Sequence, residues 1–193
     1  MALLVKSGID DLLPMVRSEG RHVSAGIRRM CLALGHYEDT PLPDDRSLLE
    51  TGNAFEDLLI QAFIDRVAKS QPDRYIRPGE QCLDGVYGTP DLFDLYEHEV
   101  VEVKYTQLSV KNDPEGKKFW KYWMQLKAYC KMMGTLRGRL AIMHGVDWNF
   151  GRIDCPHCEK PVNRSHYHEW RPDGGQFMES EVEDAWRAVK AHS

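Results

Sequence analysis

"GTPDLFDLYEHEVVEVKYT", residues 88–106, sets two apolar runs around a short polar break and threads acids and a lysine through residues suited to a core. "DLFDLY" and "EVVEVKY" are rich in Val, Leu, Phe and Tyr, side chains that fit a pleated surface, and "EH" divides them. The stretch predicts a β-hairpin. With the turn at Glu97-His98, Tyr96 faces Glu99, Phe93 faces Glu102 and Asp91 faces Lys104. Alternate residues of a strand share a face. Asp91, Phe93, Glu102 and Lys104 then converge on one side, the two carboxylates diagonal to each other and the ammonium beside them. The convergence depends on register, because a one-residue slip in one strand would scatter the three charged groups over both faces.

Around the hairpin the periodicity is helical. "SAGIRRMCLAL" (24–34) spaces Ile27, Met30, Cys31 and Leu34 at helical intervals, and Gly35 stops it. "YEDTPLPDDR" (37–46) has the prolines and acids of a surface loop. In "SLLETGNAFEDLLIQAFIDRVAKS" (47–70), Leu48, Phe55, Leu58, Leu59, Ala62, Phe63 and Val67 form a helical stripe that "QPD" ends. A further helix is expected over 115–133, closed by Gly134. Strands follow at "GRLAIMHGV" (138–146) and "HYHEW" (166–170), and an amphipathic helix at 180–192. This order predicts an α+β (mixed α/β) fold with a central mixed sheet flanked by helices.

A chain of 193 residues is long enough for one sizeable core, so a single domain over 1–193 is expected, with 144–170 as a metal-binding hairpin insertion. Lys+Arg number 25 against 30 Asp+Glu, a formal charge of −5 that excludes a uniformly basic nucleic-acid coat but not a local basic patch. The N-terminus shows no basic region followed by a long apolar run, and no stretch is long enough to span a bilayer. A cytoplasmic protein of a bacterium or phage-infected cell, with no membrane partner, is expected. The five cysteines are an odd number and lie far apart except for Cys155 and Cys158, which favours free thiols or metal ligands over disulfides.

Two neighbouring carboxylates raise each other's pKa unless a cation sits between them. Hard oxygen ligands suit Mg²⁺ or Mn²⁺, ions that take one or two protein carboxylates together with phosphate oxygens. Lys104, further along the same face, could orient or help deprotonate a water, or neutralise charge developing on a phosphate. Asp91, Glu102 and Lys104 therefore point to phosphodiester hydrolysis. The plainer alternative is a solvated hairpin face carrying an ordinary cross-strand Asp–Lys pair.

Three motifs agree with the first reading: Pro90-Asp91, ten residues, then Glu102-Val103-Lys104; "QLKAY" at 125–129; and "GNAFE" at 52–56. In these the chain resembles the PD-(D/E)XK nuclease superfamily, in its RecB-like branch, either lambda-exonuclease-like or CRISPR-adaptation-nuclease-like. The resemblance implies a restriction-endonuclease-like core whose active site is the β-hairpin. It also implies that Asp91 and Glu102 hold the metal, with the Val103 carbonyl as a further ligand, and that Glu56 completes the metal's shell from the preceding helix. Lys104 would position the attacking water, and Gln125 and Tyr129 would support the site and touch nucleic acid. Independently, Glu56 borders the stripe of Phe55, Leu59 and Phe63, and Gln125 and Tyr129, four apart, share a helical face. By itself, a Tyr at helical spacing is more often a core residue.

Lysines 117, 118, 121, 127 and 131 lie along the same predicted helix, with Trp120, Tyr122 and Trp123 interleaved. From 104 to 139 there are nine basic residues and two acids, a local charge of 9 − 2 = +7. Lys117, Lys118 and Lys121, extended by Arg21, Arg28 and Arg29, are candidates to hold a phosphate backbone; a lysine-rich solvated face is the alternative. CRISPR-adaptation relatives carry an iron–sulfur cluster on four cysteines. Cys31, Cys155 and Cys158 supply only three in suitable places, so a cluster is not expected. Zn²⁺ on Cys155, Cys158, His166 and His168 fits better, with His144 and His157 as spare ligands; the alternative is two free thiols in a His-rich loop.

The expected activity is that of a metal-dependent deoxyribonuclease, an exonuclease in DNA processing, recombination or CRISPR adaptation. A homo-oligomer or a recombination or adaptation partner protein would accompany it. A catalytically inactive nucleic-acid-binding module of the same fold is the competing reading.

Overall fold

The computed structural model describes residues 19–36, 47–112, 116–146, 154–162 and 166–193, with backbone alone at 47–51 and 68. The loop expected at 37–46 lies outside these residues. The 88–106 hairpin forms from β5 (Leu92–Asp94) and β6 (Glu99–Thr106). Its register differs from the expected one by two residues: Leu92 faces Val101, Phe93 faces Val100 and Asp94 faces Glu99. The loop is 95–98 rather than a two-residue turn, because the Asp94 carboxylate accepts the backbone N–H groups of Tyr96 and Glu97 at 3.0 and 3.1 Å and so caps a wider turn. A shift of two keeps every side chain on its face.

β6 pairs in parallel with β7 (Arg137–His144), a strand buried along almost its whole length. β2 (Tyr75–Ile76) and β8 (His168–Trp170) close the edges, giving a five-stranded mixed sheet in the order β2-β5-β6-β7-β8. Because both faces of this sheet are covered, "VVEV" and "LAIM" read as continuous apolar runs rather than alternating ones. Val100, Val101, Val103, Leu140 and Ile142 are fully buried, each worth about 1.5–3 kcal/mol.

On one face lies α2 (Ser47–Ala68), packing Leu59, Ile60 and Phe63 onto Leu92, Val101, Val103 and Ala141. The stripe is rotated from the expected one: Leu58 is 65% exposed, and Ile60 takes the buried position. On the other face α1 (Val23–Ala33), α3 (Trp120–Met133) and α4 (Glu179–His192) share a core with Phe93, Val100, Leu140 and Ile142. α3 begins at Trp120 rather than near 115, after a turn in which Phe119 N–H donates to Gly116 O. It ends at Gly134, which adopts φ 67°, a left-handed conformation that favours glycine.

A second, three-stranded sheet is absent from the sequence reading. β1 (Arg21–His22), β4 (Val86–Gly88) and β3 (Gln81–Leu83) pair in the order β1-β4-β3. The β3-β4 turn is Asp84-Gly85, both at positive φ, a two-residue hairpin signal that "LDGV" carries openly. Gly88, at the end of β4, lies so close to α3 that an added Cβ would meet Tyr129 Cε1 at 2.7 Å.

Candidate active site

The corrected register puts Asp91 level with Glu102 at the mouth of the β5-β6 hairpin, and Lys104 two residues further along the same face. Lys104 Nζ lies 2.6 Å from Glu102 Oε1, 3.7 Å from Asp91 Oδ2 and 3.8 Å from Glu56 Oε2. Backbone donors of β6 hold the other two acids in place. Val103 N–H donates to Asp91 Oδ2 at 2.7 Å and Tyr105 N–H donates to Glu56 Oε1 at 3.0 Å. Glu56 gets there because it occupies the first turn of the buried stripe of α2, three and four residues before Leu59 and Ile60. Val103 itself turns its side chain into the α2-side core.

Burial and the neighbouring charges act on Glu102, Glu56 and Lys104 together. Burial and the neighbouring Asp91 push the Glu102 carboxyl well above its ordinary range. Burial likewise raises Glu56, against the opposing pull of Lys104. Burial acts to strip the proton from Lys104, but Glu102, Asp91 and Glu56 outweigh it and hold the ammonium well above its ordinary value. Glu102 is fully buried, and its Oε2 has no hydrogen-bond donor among the described residues. A buried carboxylate oxygen without a donor is costly unless a cation meets it.

A second acidic set on the opposite face of the same strands supplies the comparison. Asp94, Glu99 and Glu169 are met by Arg74, Arg139 and Arg171: Arg74 to Asp94 at 2.8 Å, Arg139 to Glu99 at 3.2 Å and to Glu169 at 3.1 Å, Arg171 to Glu99 at 2.9 Å. Formal charge there is 3 − 3 = 0. Burial opposes ionisation of Asp94, yet Arg74 and the turn N–H groups overcome it and hold this carboxyl below its ordinary value. At Glu56, Asp91, Glu102 and Lys104 the sum is 1 − 3 = −2. Three carboxylates with oxygen donors only, one of them a donor-less buried oxygen, fit a hard divalent ion, whose charge cancels the excess.

Glu56, Asp91, Glu102 and Lys104 form one acidic cluster.

Glu56, Asp91 and Lys104 line a cavity of about 130 Å³ together with His22, Ser24, Thr89, Gln125 and Tyr129, with Glu102 buried behind them. Tyr129 is almost fully buried and accepts a hydrogen bond from Gln125 Nε2 at 3.0 Å. Burial, then the charge of Glu102, raises its pKa, so the phenol stays protonated. Glu56 also lines a second cavity of about 250 Å³ with Tyr105, Gln107 and Tyr122. Thr106, Gln107 and Tyr122 in turn join that cavity to a third of about 390 Å³, walled by Lys117, Lys118 and Lys121. Three adjoining hollows thus run from the carboxylates to the lysines.

Other basic residues are used within the fold. Lys127 pairs with Glu181 at 2.8 Å and Lys131 with Glu183, tying α3 to α4. Arg21 and Arg29 donate to backbone carbonyls of Lys190 and His192 at the end of α4, while Arg28 is exposed. Lys127 and Lys131 are thus packed against α4, whereas Lys117 and Lys118, in the turn before α3, and Lys121, in its first turn, border the third hollow. Helical spacing alone marks these lysines but does not show that Glu181 and Glu183 of α4 lie opposite them.

Of the four Cys/His candidates, the structure brings together Cys155, Cys158 and His168, whose ligand atoms all lie within 4.8 Å of one another. His166 does not join them. β8 begins only at His168, and its antiparallel register with β7, extended by two, carries His166 toward His144 instead. His166 is buried with Nε2 lacking a partner among the described residues. The sequence reading also missed Asp94, Glu99 and Arg139, although odd-even parity relative to Glu102 assigns the two acids to the opposite face.

No family model matches the chain, and no curated protein matches it. Among solved structures it is similar to the protein SSO0001, with 14% identity over 94% of this chain and 81% of that one at a TM-score of 0.46. It is also similar to a phage related exonuclease from Haemophilus somnus 129PT, with 11% identity over 88% and 78% of the two chains at a TM-score of 0.45. A third is an alkaline exonuclease, LHK-Exo, from Laribacter hongkongensis, with 12% identity over 89% and 86% at a TM-score of 0.45. At these values nothing about chemistry follows from the likeness.

Proposed function

We propose that the chain is a Mg²⁺- or Mn²⁺-dependent nuclease that hydrolyses phosphodiester bonds in DNA, acting as an exonuclease. The observation that carries this reading is the meeting of Glu56, Asp91 and Glu102 on one buried lysine, a formal charge of −2, beside an opposite face where equal numbers of acids and arginines cancel. Glu56, Asp91 and Glu102 would hold the ion, with the Val103 carbonyl as a further ligand. When bound, a divalent ion supplies Lewis-acid polarisation of a phosphate oxygen. Lys104, kept protonated by its acids, serves as a hydrogen-bond donor rather than a base: it orients the attacking water or stabilises negative charge on the phosphoryl oxygens. Gln125, fixed by Tyr129, reaches the same cavity as a polar contact for the strand being cut.

Nucleic acid would follow the three adjoining hollows, its phosphates beside Lys117, Lys118 and Lys121 and its bases against Tyr105 and Tyr122. Among the described residues no helix is long and apolar enough to cross a membrane. The test is incubation with linear single- and double-stranded DNA, end-blocked and free-ended, with Mg²⁺ or Mn²⁺. Metal-dependent cleavage from free ends, falling at least about 100-fold in Asp91→Ala and Lys104→Ala, is expected. DNA binding with no cleavage under any metal would make the chain a binding module instead.

A further inference from the structure

We propose that Cys155, Cys158 and His168 bind a Zn²⁺ ion that braces the wall of the groove leading from the carboxylates. This second metal site is chemically distinct from the first and does not depend on the nuclease reading. Its donors are two thiols and an imidazole with no carboxylate among them, a soft set that selects zinc over magnesium or manganese.

The cysteines sit in a preformed knuckle. Asp154 and Pro161 make an antiparallel bridge, Cys155 N–H donates to Lys160 O at 2.9 Å, and Glu159 N–H donates to Cys155 O at 2.8 Å. The backbone N–H groups of His157 and Cys158 point at the Cys155 sulfur. Closing the turn puts Glu159 at φ 59°, a left-handed conformation usually left to glycine. Cys155 Sγ and His168 Nδ1 are 4.0 Å apart, close to the ~3.6 Å separating a sulfur and a nitrogen on one tetrahedral zinc with ordinary bond lengths. The His168 ring is held by Trp170, with centroids 4.2 Å apart, so it needs little reorganisation to meet the sulfurs.

Packing alone gives this segment little. Its core is Val110, Cys155 and Val162, with Cys158 against them. A cluster of this size is what small metal-clipped modules show, where the ion replaces a hydrophobic core. His157, inside the knuckle, donates from Nε2 to Val110 O at 3.1 Å, so the knuckle grips the segment just beyond Gln107 and Leu108. Those two residues line the hollow beside Lys117 and Lys118, and Lys118 Nζ donates to Asn112 Oδ1 at 3.0 Å. Loss of the ion would release Val110, and with it the position of Lys118.

The test uses the full chain. Elemental analysis after purification without added metal should find one zinc per chain. Replacement by Co²⁺ should give the intense visible bands of a tetrahedral thiolate site, and X-ray absorption should show two sulfur neighbours with nitrogen. Cys158→Ser and His168→Ala should lose the zinc, while Cys82→Ser, an exposed cysteine remote from the knuckle, should keep it. If a knuckle variant fails to fold, the cobalt spectrum of the unaltered chain decides independently. Absence of both zinc and the cobalt bands would overturn the proposal. So would iron with inorganic sulfide in place of zinc, or zinc retained in full by folded Cys158→Ser.

Discussion

Lys104→Met is the perturbation whose effect the site geometry fixes most tightly. In the metal-free chain the ammonium is, among the described residues, the one cation paired with the three carboxylates, at 2.6, 3.7 and 3.8 Å, and Glu102 has no exposed surface. Removing one member of a buried ion pair costs about 3–5 kcal/mol because the partner is left charged and dry. Asp91 and Glu56 keep 20% and 23% of their side-chain surface exposed, so solvent screens part of their charge, which places the expected loss near the lower end, about 3 kcal/mol. For a chain of this size about 1 kcal/mol moves Tm by about 2–4 °C, so the variant should melt about 6–12 °C lower in EDTA. Methionine keeps the bulk of the lysine stem, so lost packing contributes little. Mg²⁺ should then stabilise the variant more than the unaltered chain, because the ion takes over the charge that the ammonium cancelled. The assay is thermal unfolding by circular dichroism in EDTA and across a Mg²⁺ titration. A variant within about 2 °C of the unaltered chain in EDTA, or one that gains no more from Mg²⁺, would refute the convergence of the three acids on Lys104.

Gly88→Ala should cost about 1–3 kcal/mol by overpacking, since its Cβ would meet Tyr129 Cε1 at 2.7 Å and Met132 Sδ at 3.0 Å; displacing Tyr129 from Gln125 should lower cleavage beyond the loss of folded protein, read as kcat on correctly folded material. The metal-free chain should lose stability as pH rises from mildly acid toward neutral. Glu102 and Glu56 have folded pKa values above their unfolded ones, so their contribution is full below the unfolded value near 4.5 and disappears as pH rises through the folded values. Urea titrations across that window should show the slope, flattened in Glu102→Gln. Asp94 is held below its ordinary value, so its contribution has the opposite sign and is lost only as pH falls through its folded value, below about 3.8. Lys118→Ala should weaken DNA binding uniformly across sequences and reduce the slope of log affinity against log salt by about 1.

The faces of the hairpin were legible from the sequence because a strand's period is two. The turn was misjudged by two residues, and an even error returns Asp91, Glu102 and Lys104 to the same side. The width of that turn was not legible, since it is set by the Asp94 side chain accepting two backbone N–H groups, a local competition that propensity does not encode. Glu56 was placed by helical spacing, but which stripe of α2 is buried was read one position off, because "LLIQAFI" is apolar almost all round and only the sheet decides between Leu58 and Ile60. β1 and β4 pair across more than sixty residues of chain, a long-range contact with no local signal, whereas the Asp84-Gly85 turn of β3-β4 had one. Alternation along "HYHEW" puts His166 beside His168 only if both lie in a strand, and β8 begins at His168. The zinc proposal therefore rests on Cys155, Cys158 and His168.

Anomalous diffraction from crystals soaked in Mn²⁺ tests the central claim most directly. A peak bounded by carboxylate oxygens of Glu56, Asp91 and Glu102, absent in Asp91→Ala, is the predicted result. Mn²⁺ bound elsewhere, or none at the site while Lys104 alone continues to bridge the three acids, would contradict it.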